Sequence, residues 1–589
     1  MKKPTFRRKL GLTEGVAICI GSIFGADIYI VTSQGAQWLG PASLIAWAVS
    51  GIAAVFMAMC LAECSGLFPK AGGPYIFETA AFGMFAGAIL GWALWIAEWA
   101  AIATFPISFT QYLGYVFPDV SSSFPLECLV KILFIGSIMA VQYTGTKEVG
   151  IFHTIFTVEK MILVAFILLL IPMFSFSNLH DFAPKGYDAL GIATTRIFWA
   201  YMGFELVTMP AEEFRNPRKD VHRSIIIGII LIMVIYMVTN IILFGSVGWQ
   251  KIALTTTPIA DAAQIALGST AGVVLAVAGL MSIMNSETGT FLGTTRLAYA
   301  MGKDGILPRA FANIHPKRRI PHIAILIQGL AAMAASCLFN IYQLILFSSF
   351  TVLIAYASIC VATILFRVRM PNLERPYKVP IQLRVRGKEI PVPAVIGALA
   401  GVAILIHTSR EEVLGGLFAL AIGVTIYLLV IRREGISFSW RGIELMTLRT
   451  LEFEGGWMKP ELIASKVYES AVTTDKQLNE VKRCLKVLGD RDLVFVRDGV
   501  EWRYKPRLKP YQKALLQAMK DREFRPTRIQ HVQRYLDEKG LDSRFKKIYR
   551  VADRLREVGI IRIGKFGRYE LALEREYVEE LLAQPVAYA

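Results

Sequence analysis

Long apolar runs fill the first three quarters of the chain, whereas charged residues are frequent in the last quarter. Up to about residue 432 we count twelve apolar segments, at about 13–34, 41–66, 85–116, 126–144, 150–173, 192–209, 223–247, 269–297, 321–339, 342–366, 391–408 and 412–431. Several contain more than about 18 apolar residues, the length at which a helix is read as membrane-spanning. The pattern predicts an all-α membrane protein with twelve transmembrane helices.

The sixth apolar segment is too short to cross a membrane as one helix. Only about 15 residues separate Arg196 from Glu212, and Gly203 and Glu205 interrupt them, whereas a bilayer core requires roughly 20 apolar residues. Such a segment is typical of an interrupted span that lines a cavity, where freed backbone groups bind a solute. This segment therefore indicates a transporter.

The distribution of basic residues predicts the orientation of the chain. The N-terminus and the even-numbered loops carry about 23 Lys and Arg, and the odd-numbered loops carry about four, which predicts cytoplasmic termini by the positive-inside rule. The even number of spans agrees with this. The net charge of +17 therefore does not require a nucleic-acid partner. We expect a multi-pass protein of the plasma membrane, in contact with the lipid bilayer and without a cleaved leader.

The polar residues of the first 435 positions do not form an enzyme-like or metal-binding pattern. Most of the seven cysteines lie within apolar segments, and Cys60 and Cys64, one helical turn apart, are explained as small packing residues. No arrangement of a nucleophile and a base is apparent. We expect no metal, no cofactor and no enzymatic activity.

Four sequence motifs occur in order along the chain. They are GSIFGADIY at Gly21–Tyr29, FPKAGGPY at Phe68–Tyr75, WAYMGFE with AEEFRNPRK at Trp199–Lys219, and NSETGTFLGTTR with its continuation at Asn285–Pro316. Together they resemble the amino acid–polyamine–organocation (APC) permease family over about residues 8–432. The resemblance implies a leucine-transporter-like fold with a 5+5 inverted repeat plus two helices. In that fold helices 1 and 6 unwind midway, and helices 3 and 8 surround them.

The resemblance implies that an amino acid binds where these two helices unwind. In the first span the break would comprise Ser22, Ile23, Phe24, Gly25, Ala26 and Asp27, with the amides of the last three facing a substrate carboxylate. In the sixth span it would comprise Trp199, Ala200, Tyr201 and Gly203, with the carbonyls of the first three holding the substrate ammonium and Gly203 allowing the helix to unwind. Trp199 would also act as an aromatic gate. The alternatives are glycine-mediated helix packing for the first motif and an interfacial tryptophan for the second.

Acidic residues in the spans depart from the family pattern. Asp27 stands where the family usually has a small neutral residue, and it could titrate with coupled protons, attract a cationic substrate or pair with a neighbouring charge. Glu98 and Glu287 are also acidic, and Asn285 is a further polar candidate. If the three carboxylates face one cavity, they favour an organic cation such as a cationic amino acid or a polyamine. The alternative is structural pairing with Lys160, Arg196 or Arg296.

Lys160 lies within the fifth apolar segment. It resembles the lysine that occupies the place of a sodium ion in some relatives, which implies proton coupling or exchange without sodium. Burial would allow this lysine to gain and lose a proton in each cycle, with Glu159 and Glu205 as partners. The alternative is a lysine that extends its ammonium to the cytoplasmic surface.

The last part of the chain has a different composition. Residues 436–589 carry 31 Lys and Arg and 23 Asp and Glu, a net charge of +8. The pattern predicts a helix at 462–467, a helix at 478–488 and a hairpin at 493–504 with a two-residue Asp498–Gly499 turn. A second copy is predicted at 529–535, 546–557 and 560–571. Two α+β modules, 436–508 and 509–589, therefore resemble winged helices, which bind a protein partner or, less favoured here, nucleic acid.

These observations predict a secondary active transporter for an amino acid or a related amine or polyamine. Residues 1–435 would form the transport domain, working by alternating access with proton coupling or exchange. The alternative is a membrane sensor, in which a transporter-like body signals ligand occupancy through the winged-helix tail.

Overall fold

The structure, a computed structural model, describes residues 8–371, 375–385 and 387–434, and short stretches of the tail. The latter are 451, 458–467, 478–479, 481–482, 485, 494–497, 501–504, 510–521, 530, 532–534, 552, 561–563, 569–571, 573 and 575–583. The chain divides into two compact units, Met1–Val430 and Ile431–Ala589. The division lies close to the boundary predicted at residue 435, while the domain assignment itself stays a prediction.

The first unit is built almost entirely of helices. They are α1 (Leu12–Ile23), α2 (Ala26–Leu39), α3 (Ser43–Leu67), α4 (Pro74–Phe82), α5 (Met84–Val116), α6 (Asp119–Ser122), α7 (Phe124–Thr144), α8 (Thr146–Val158), α9 (Lys160–Leu170), α10 (Leu190–Trp199), α11 (Pro217–Val247), α12 (Trp249–Ala253), α13 (Pro258–Leu267), α14 (Ser269–Lys303), α15 (His322–Leu338), α16 (Ile341–Arg369), α17 (Val392–Ile406) and α18 (Arg410–Glu434). Every predicted apolar segment contains helix.

Seven helical segments among the described residues are long and apolar enough to cross a membrane. They are Leu12–Leu67, Met84–Val116, Phe124–Thr144, Glu148–Met173, Pro217–Val247, Ser269–Lys303 and Gln343–Arg369. Shorter apolar helices occur at His322–Leu338, Val392–Ile406 and Val413–Leu429. The helical class is therefore confirmed, whereas the count of twelve transmembrane helices stays a prediction.

Three of the apolar segments contain interrupted helices. In the first, α1 ends at Ile23 and α2 begins at Ala26, with Phe24 and Gly25 between them. In the sixth, α10 ends at Trp199, and turns and short 3-10 helices follow up to residue 213. In the fifth, a turn at Glu159 separates α8 from α9, an interruption that the apolar pattern did not predict. Because α1 packs against α8, α11 and α14, the first and fifth interruptions lie side by side.

A buried carboxylate joins α3 to the segment that follows α16. Glu63 accepts two hydrogen bonds of 2.6 Å from the guanidinium of Arg367, a paired geometry typical of strong ion pairs. It also accepts hydrogen bonds of 2.9 Å from Arg375 Nε and from the backbone amide of Val379. Glu63 and Arg367 are only 1% and 2% exposed. One carboxylate therefore binds two buried guanidinium groups and holds the segment after α16 against α3.

A β-hairpin continues this ion network towards solvent. Strand β1 (Gln382–Val385) pairs with β2 (Lys388–Pro391) in antiparallel register. Glu389 on β2 contacts Lys378 at 2.7 Å and Arg367 at 3.4 Å. The hydrogen bond from Lys378 lowers the pKa of the Glu389 carboxyl. The hairpin is thus held to the helices by charge rather than by apolar packing.

Replacing Glu63 by glutamine should destabilise the protein by about 3–5 kcal/mol, because Arg367 and Arg375 would both lose the buried carboxylate that binds them, and Arg367 would keep only the longer contact with Glu389. The measurement is the thermal unfolding midpoint of the purified protein in detergent. Arg384→Gln is the matched control: Arg384 contacts Glu389 at 3.7 Å but is 81% exposed, and an exposed pair contributes at most about 1 kcal/mol. Equal midpoints for Glu63→Gln and wild type would contradict this account of the network.

The second unit contains helices and hairpins in its described parts. These are α19 (Pro460–Val467), β3 (Val494–Arg497), β4 (Glu501–Tyr504), α20 (Pro510–Lys520), β5 (Ile561–Ile563), β6 (Tyr569–Leu571) and α21 (Arg575–Ala583). Strands β3 and β4 pair antiparallel, as do β5 and β6, so both predicted hairpins are confirmed. Arg497 pairs with Glu501, which leaves three residues in the connection rather than the predicted two. Asp498, Gly499 and most of the predicted helices at 478–488, 529–535 and 546–557 lie outside the described residues. The winged-helix assignment stays a prediction.

Candidate functional site

The last carbonyl groups of α1 are bound by side chains of two other helices. The hydroxyl of Ser286 on α14 donates a hydrogen bond of 2.7 Å to the carbonyl of Ser22. The phenol of Tyr236 on α11 donates one of 3.0 Å to the carbonyl of Ile23. A helix end leaves its last carbonyls without helical partners, and here tertiary contacts supply them. The break in the first span is therefore stabilised in the folded protein.

The carbonyl of Phe24 at this break accepts a hydrogen bond from a cation. Lys160, the first residue of α9, donates a hydrogen bond from its ammonium to this carbonyl and another of 3.0 Å to Ser282 Oγ. Ser282 in turn donates a hydrogen bond of 3.1 Å to the Phe24 carbonyl, and the ammonium lies 4.5 Å from the centre of the Phe24 ring. Glu159 is the nearest counter-charge, at 3.7 Å. A protein ammonium thus stands where an unwound helix offers carbonyl oxygens to a cation.

The other side of the break offers the first amides of α2. The helix begins at Ala26, and Gly25 before it provides no side-chain cap, so the amides of the first turn face an anion rather than a helical partner. The amide of Asp27 lies within hydrogen-bonding reach of its own carboxylate. A Cβ at Gly25 would overlap Ser286, which explains the glycine at this position. Asp27 lies in this first turn and is 5% exposed. The amide end therefore already carries one carboxylate from the protein.

The sixth-span break touches the first-span break. Gly203 has φ of +105°, and a Cβ at this position would lie 3.2 Å from the carbonyl oxygen of Ser22. The turn that begins after Trp199 uses the Trp199 carbonyl to bind the amide of residue 202. Within the described part of the chain, the carbonyls of Ala200 and Tyr201 accept no hydrogen bond. The contact therefore joins the end of α1 to the sixth-span turn that contains these two carbonyls.

Three carboxyl groups converge near these breaks. Glu205 accepts a hydrogen bond from the hydroxyl of Tyr356 on α16 and one of 3.2 Å from the amide of Gly203. The carboxyl of Glu98 on α5 lies within hydrogen-bonding reach of Glu205 and within electrostatic range of Asp27. The Lys160 ammonium lies within electrostatic range of the Asp27 carboxyl. The site thus combines three acidic groups with one ammonium.

Two alternative interpretations from the sequence are wrong. Lys160 is 3% exposed and bound to the first-span break, so it does not extend its ammonium to the surface. Trp199 is also 3% exposed, so it is not an interfacial or lipid-facing tryptophan. Both residues lie inside the helical unit, next to an interruption.

The structure does not bring Glu287 into the acidic group. Glu287 is fully buried on α14, and no described side chain pairs with its carboxylate. Arg296 instead binds Glu213 at 2.8 Å, with both side chains 1% exposed, and the Arg196 guanidinium lies 5.0 Å from the Trp38 ring. Arg296 therefore neutralises Glu213, and Lys160, the lysine of the structural-pairing alternative, lies within electrostatic range of Asp27. Asn285, also fully buried, lies beside Gly21 rather than among the acids.

Sequence reasoning missed several residues that complete the site. Ser282 and Ser286 are one turn apart on α14 and bind the carbonyls of Phe24 and Ser22 at the α1 end of the first-span break. Tyr236 and Tyr356 are hydroxyl donors from α11 and α16. The spacing of the two serines was a usable signal, whereas an isolated tyrosine within an apolar segment carries no indication of its partner.

Comparison with known proteins agrees with this architecture. The amino acid permease family model matches residues 10–430. The branched-chain amino acid permease of Bacillus subtilis is 25% identical over 446 residues, covering 73% of this chain and 94% of the relative. The methylthioribose transporter of the same organism is 25% identical over 455 residues, covering 74% and 96%. The b(0,+)-type amino acid transporter 1 of Mus musculus is 27% identical over 401 residues, covering 65% and 80%.

The match spans most of the chain and includes all the residues of the two breaks. The relatives are permeases and transporters, and the described helices include seven that are long and apolar enough to cross a membrane. This is a multi-pass membrane protein that belongs to the amino acid permease family of the APC superfamily, a family of transporters and not of enzymes.

Proposed function

We propose that this protein is a secondary active transporter that moves an amino acid or a related amine across the plasma membrane by alternating access, with both termini in the cytoplasm. The observation that carries the proposal is the contact between the two breaks, where Gly203 packs on the Ser22 carbonyl. An α-amino acid has a carboxylate and an ammonium on the same carbon. A site with free amides on one helix and free carbonyls on another matches both charges.

Each end of the substrate has its own group of backbone atoms. The amides of Gly25, Ala26 and Asp27 would bind a carboxylate at the beginning of α2. The carbonyls of Ala200 and Tyr201 would accept hydrogen bonds from an ammonium. The indole of Trp199 would close over the bound molecule, since its burial next to the break is what a gate requires.

The acidic groups favour a substrate with a further positive charge. Glu98 lies within interaction range of both Asp27 and Glu205, while the Lys160 ammonium is bound to the Phe24 carbonyl. A second ammonium or a guanidinium on the substrate would offset the excess negative charge of the site. We therefore infer a preference for a cationic amino acid or an organic amine over a neutral amino acid.

Lys160 would carry the coupled proton. In its charged form it donates to the carbonyl of Phe24, so the break and the protonated lysine stabilise each other. Loss of the proton removes one donor and the charge, which weakens the contact between α9 and the break. Glu159 is its immediate partner, whereas Glu205 binds Tyr356 and Gly203 and would respond to protons at the sixth-span break. Protonation would thereby bias the opening of one side of the transporter.

The tail would serve interaction or regulation rather than transport. The two hairpins at the predicted positions support two similar modules, 436–508 and 509–589. A protein partner is favoured over nucleic acid because the tail of a membrane-bound chain has little access to a genome. The sensor alternative for the whole chain is not favoured, since the relatives are transporters.

The proposed function is tested with purified protein. A thermal-shift screen against amino acids and polyamines identifies ligands, because binding to the native state raises the unfolding midpoint. Ligands that stabilise the protein are then tested for counterflow into proteoliposomes loaded with the same compound. Entry of radiolabelled ligand into loaded but not empty vesicles supports a transporter. Ligand binding without any entry would contradict it.

Replacing Asp27 by glycine should shift the preference towards neutral amino acids by at least about tenfold, because charges a few ångströms apart in a partly buried site interact by several kcal/mol. The measurement is the ratio of uptake rates for a cationic and a neutral amino acid of similar size. Glu287→Gln is the matched control, since it removes a buried carboxylate that lies outside the acidic group. An unchanged ratio for Asp27→Gly would exclude Asp27 as the residue that selects charge.

A further inference from the structure

A buried histidine precedes Lys160 in the fifth span. His153 is on α8, seven residues before Lys160, and is fully buried. The turn at Glu159 lies between the two residues, and their side chains are within electrostatic range of each other. Substrate binding at the two breaks does not use this residue. A buried imidazole within range of the coupling lysine therefore requires its own explanation.

The imidazole is enclosed by α1 and α14. A Cβ at Gly21 would lie 2.6 Å from its Nδ1 atom, and a Cβ at Gly289 would lie 2.9 Å from its Cε1 atom. The side chain of Asn285 and the backbone of Thr288 are within hydrogen-bonding reach of the ring. Both glycines are thus required to admit the ring, and polar groups of α14 surround it. The ring is held in a polar site rather than in an apolar core.

Hydroxyl groups connect this site to Lys160. Ser282 accepts a hydrogen bond of 3.0 Å from the Lys160 ammonium. One turn further along α14, Ser286 donates to the carbonyl of Ser22 at 2.7 Å. The hydroxyl of Ser22 is buried without a partner among the described residues and faces Gly289, next to the imidazole. Polar atoms therefore follow one another from the lysine to the histidine between α1, α9 and α14.

Polar atoms also connect the histidine to the end of α7. The carbonyl of Thr288 accepts a hydrogen bond of 2.6 Å from the side chain of Gln142, which is 1% exposed. The next residue, Tyr143, is 38% exposed. The loop-charge pattern assigns this end of α7 to the cytoplasm. The polar atoms thus extend from the buried ammonium of Lys160 to Gln142, next to the exposed Tyr143 at the end of α7.

We propose that His153 is the acceptor for the proton that Lys160 releases, and that it passes this proton to the cytoplasmic solution. In this step the lysine ammonium becomes a neutral amine, the neutral imidazole becomes an imidazolium, and the imidazolium then returns to neutral by protonating water. The step occurs when α1 moves away from α8 and α14 and water enters along the serines. The inference depends on the proposed role of Lys160 as the proton carrier.

The electrostatics oppose charging both groups at once. Burial disfavours the imidazolium first, and a charged Lys160 opposes a second positive charge on the ring, an opposition that ends when the lysine has lost its proton. Other described charged groups on the helices around the ring are Glu14, Glu127, Lys131, Glu148, Glu159, Glu287, Arg296 and Lys303. A solvated imidazole gains and loses a proton near physiological pH, so the water that enters along the serines is what lets the buried ring accept the proton.

The test compares net transport with exchange in proteoliposomes. His153→Gln keeps a polar side chain of similar length but cannot titrate. We expect its pH-gradient-driven accumulation of substrate to fall at least about tenfold, because a positioned proton acceptor contributes 10²–10⁴-fold to proton transfer. Exchange of labelled for unlabelled substrate at equal pH should stay within about twofold of wild type, since exchange of the protonated carrier needs no proton release. His407→Gln, which alters an exposed histidine, should behave as wild type in both assays.

Two results would overturn this inference. One is wild-type accumulation by His153→Gln, and the other is equal loss of exchange and accumulation, which indicates a structural role. If the glutamine variant does not fold, His153→Asn provides the same comparison with a smaller side chain. The proposed coupling role of Lys160 fails separately: Lys160→Ala would then accumulate substrate normally, whatever the histidine variants do.

Discussion

Replacing Lys160 by alanine should reduce pH-gradient-driven uptake at least about a hundredfold, the scale on which a positioned acid or base acts. The lysine ammonium is the charged donor to the Phe24 carbonyl, and its other polar contact is Ser282. In the alanine variant the Phe24 carbonyl still accepts a hydrogen bond from the neutral hydroxyl of Ser282 but has lost its charged donor. Protonation can then no longer change the geometry of the break. Uptake of radiolabelled substrate into vesicles with an acidic exterior measures this effect.

Lys131→Ala is the matched control for this experiment. Lys131 is also a buried lysine in an apolar helix, but it pairs with Glu127 at 2.6 Å on α7, away from both breaks. Its replacement should leave pH-gradient-driven uptake within about twofold of wild type, after correction for the amount of folded protein. Normal proton-driven uptake by Lys160→Ala would remove the coupling role from this lysine.

Replacing Gly203 by alanine should abolish substrate binding. The residue has φ of +105°, where a side chain costs about 1–3 kcal/mol, and its Cβ would also press on the Ser22 carbonyl at 3.2 Å. Relief of that contact separates the two breaks, so the amides of α2 and the carbonyls of the sixth span no longer face one ligand. The measurement is the ligand-induced rise in the unfolding midpoint, which should disappear.

Gly268→Ala separates backbone strain from loss of the site. Gly268 has a similar φ of +92°, but a Cβ there meets no atom within 4 Å. This variant should lose a comparable amount of stability and still show the full ligand-induced shift. If Gly203→Ala also keeps the full shift, the contact between the two breaks does not form the binding site.

The sequence located both breaks because glycine and charge are visible in an apolar segment. Gly25 and Gly203 stand where the chain is interrupted, and Glu205 marks the second interruption directly. The break at Glu159 was not predicted: Glu159 and Lys160 are charged, but the fifth segment has full spanning length and no glycine or proline beside them. Charge alone therefore did not reveal an interruption, whereas the two predicted interruptions also contain a glycine.

The partners of the freed carbonyls could not be predicted from local sequence. Ser282, Ser286 and Tyr236 reach the first-span break from helices that are distant along the chain. Their contacts depend on how α1 packs against α11 and α14, which is a tertiary property. Hydrogen-bond partners of this kind become visible only when the packing of the helices is known.

The acidic residues show the same limit. Glu98 lies with Glu205 and Asp27, whereas Glu287 does not, although all four occur in apolar segments. Successive residues of a helix point about 100° apart, so Ser286 can bind the break while its neighbour Glu287 faces elsewhere. The sequence identified the buried acids. Whether Glu287 belongs to the site depends on which face of α14 carries it, and that is set by how the helix packs.

The most direct test is the pH inside proteoliposomes after substrate is added outside, with no pH gradient imposed at the start. A pH-sensitive dye trapped in the lumen reports proton entry, and Lys160→Ala protein serves as the control. If the two breaks bind substrate and Lys160 carries the proton, the lumen of wild-type vesicles acidifies as substrate enters, and the lumen of Lys160→Ala vesicles does not. Substrate entry into wild-type vesicles without acidification would contradict the account.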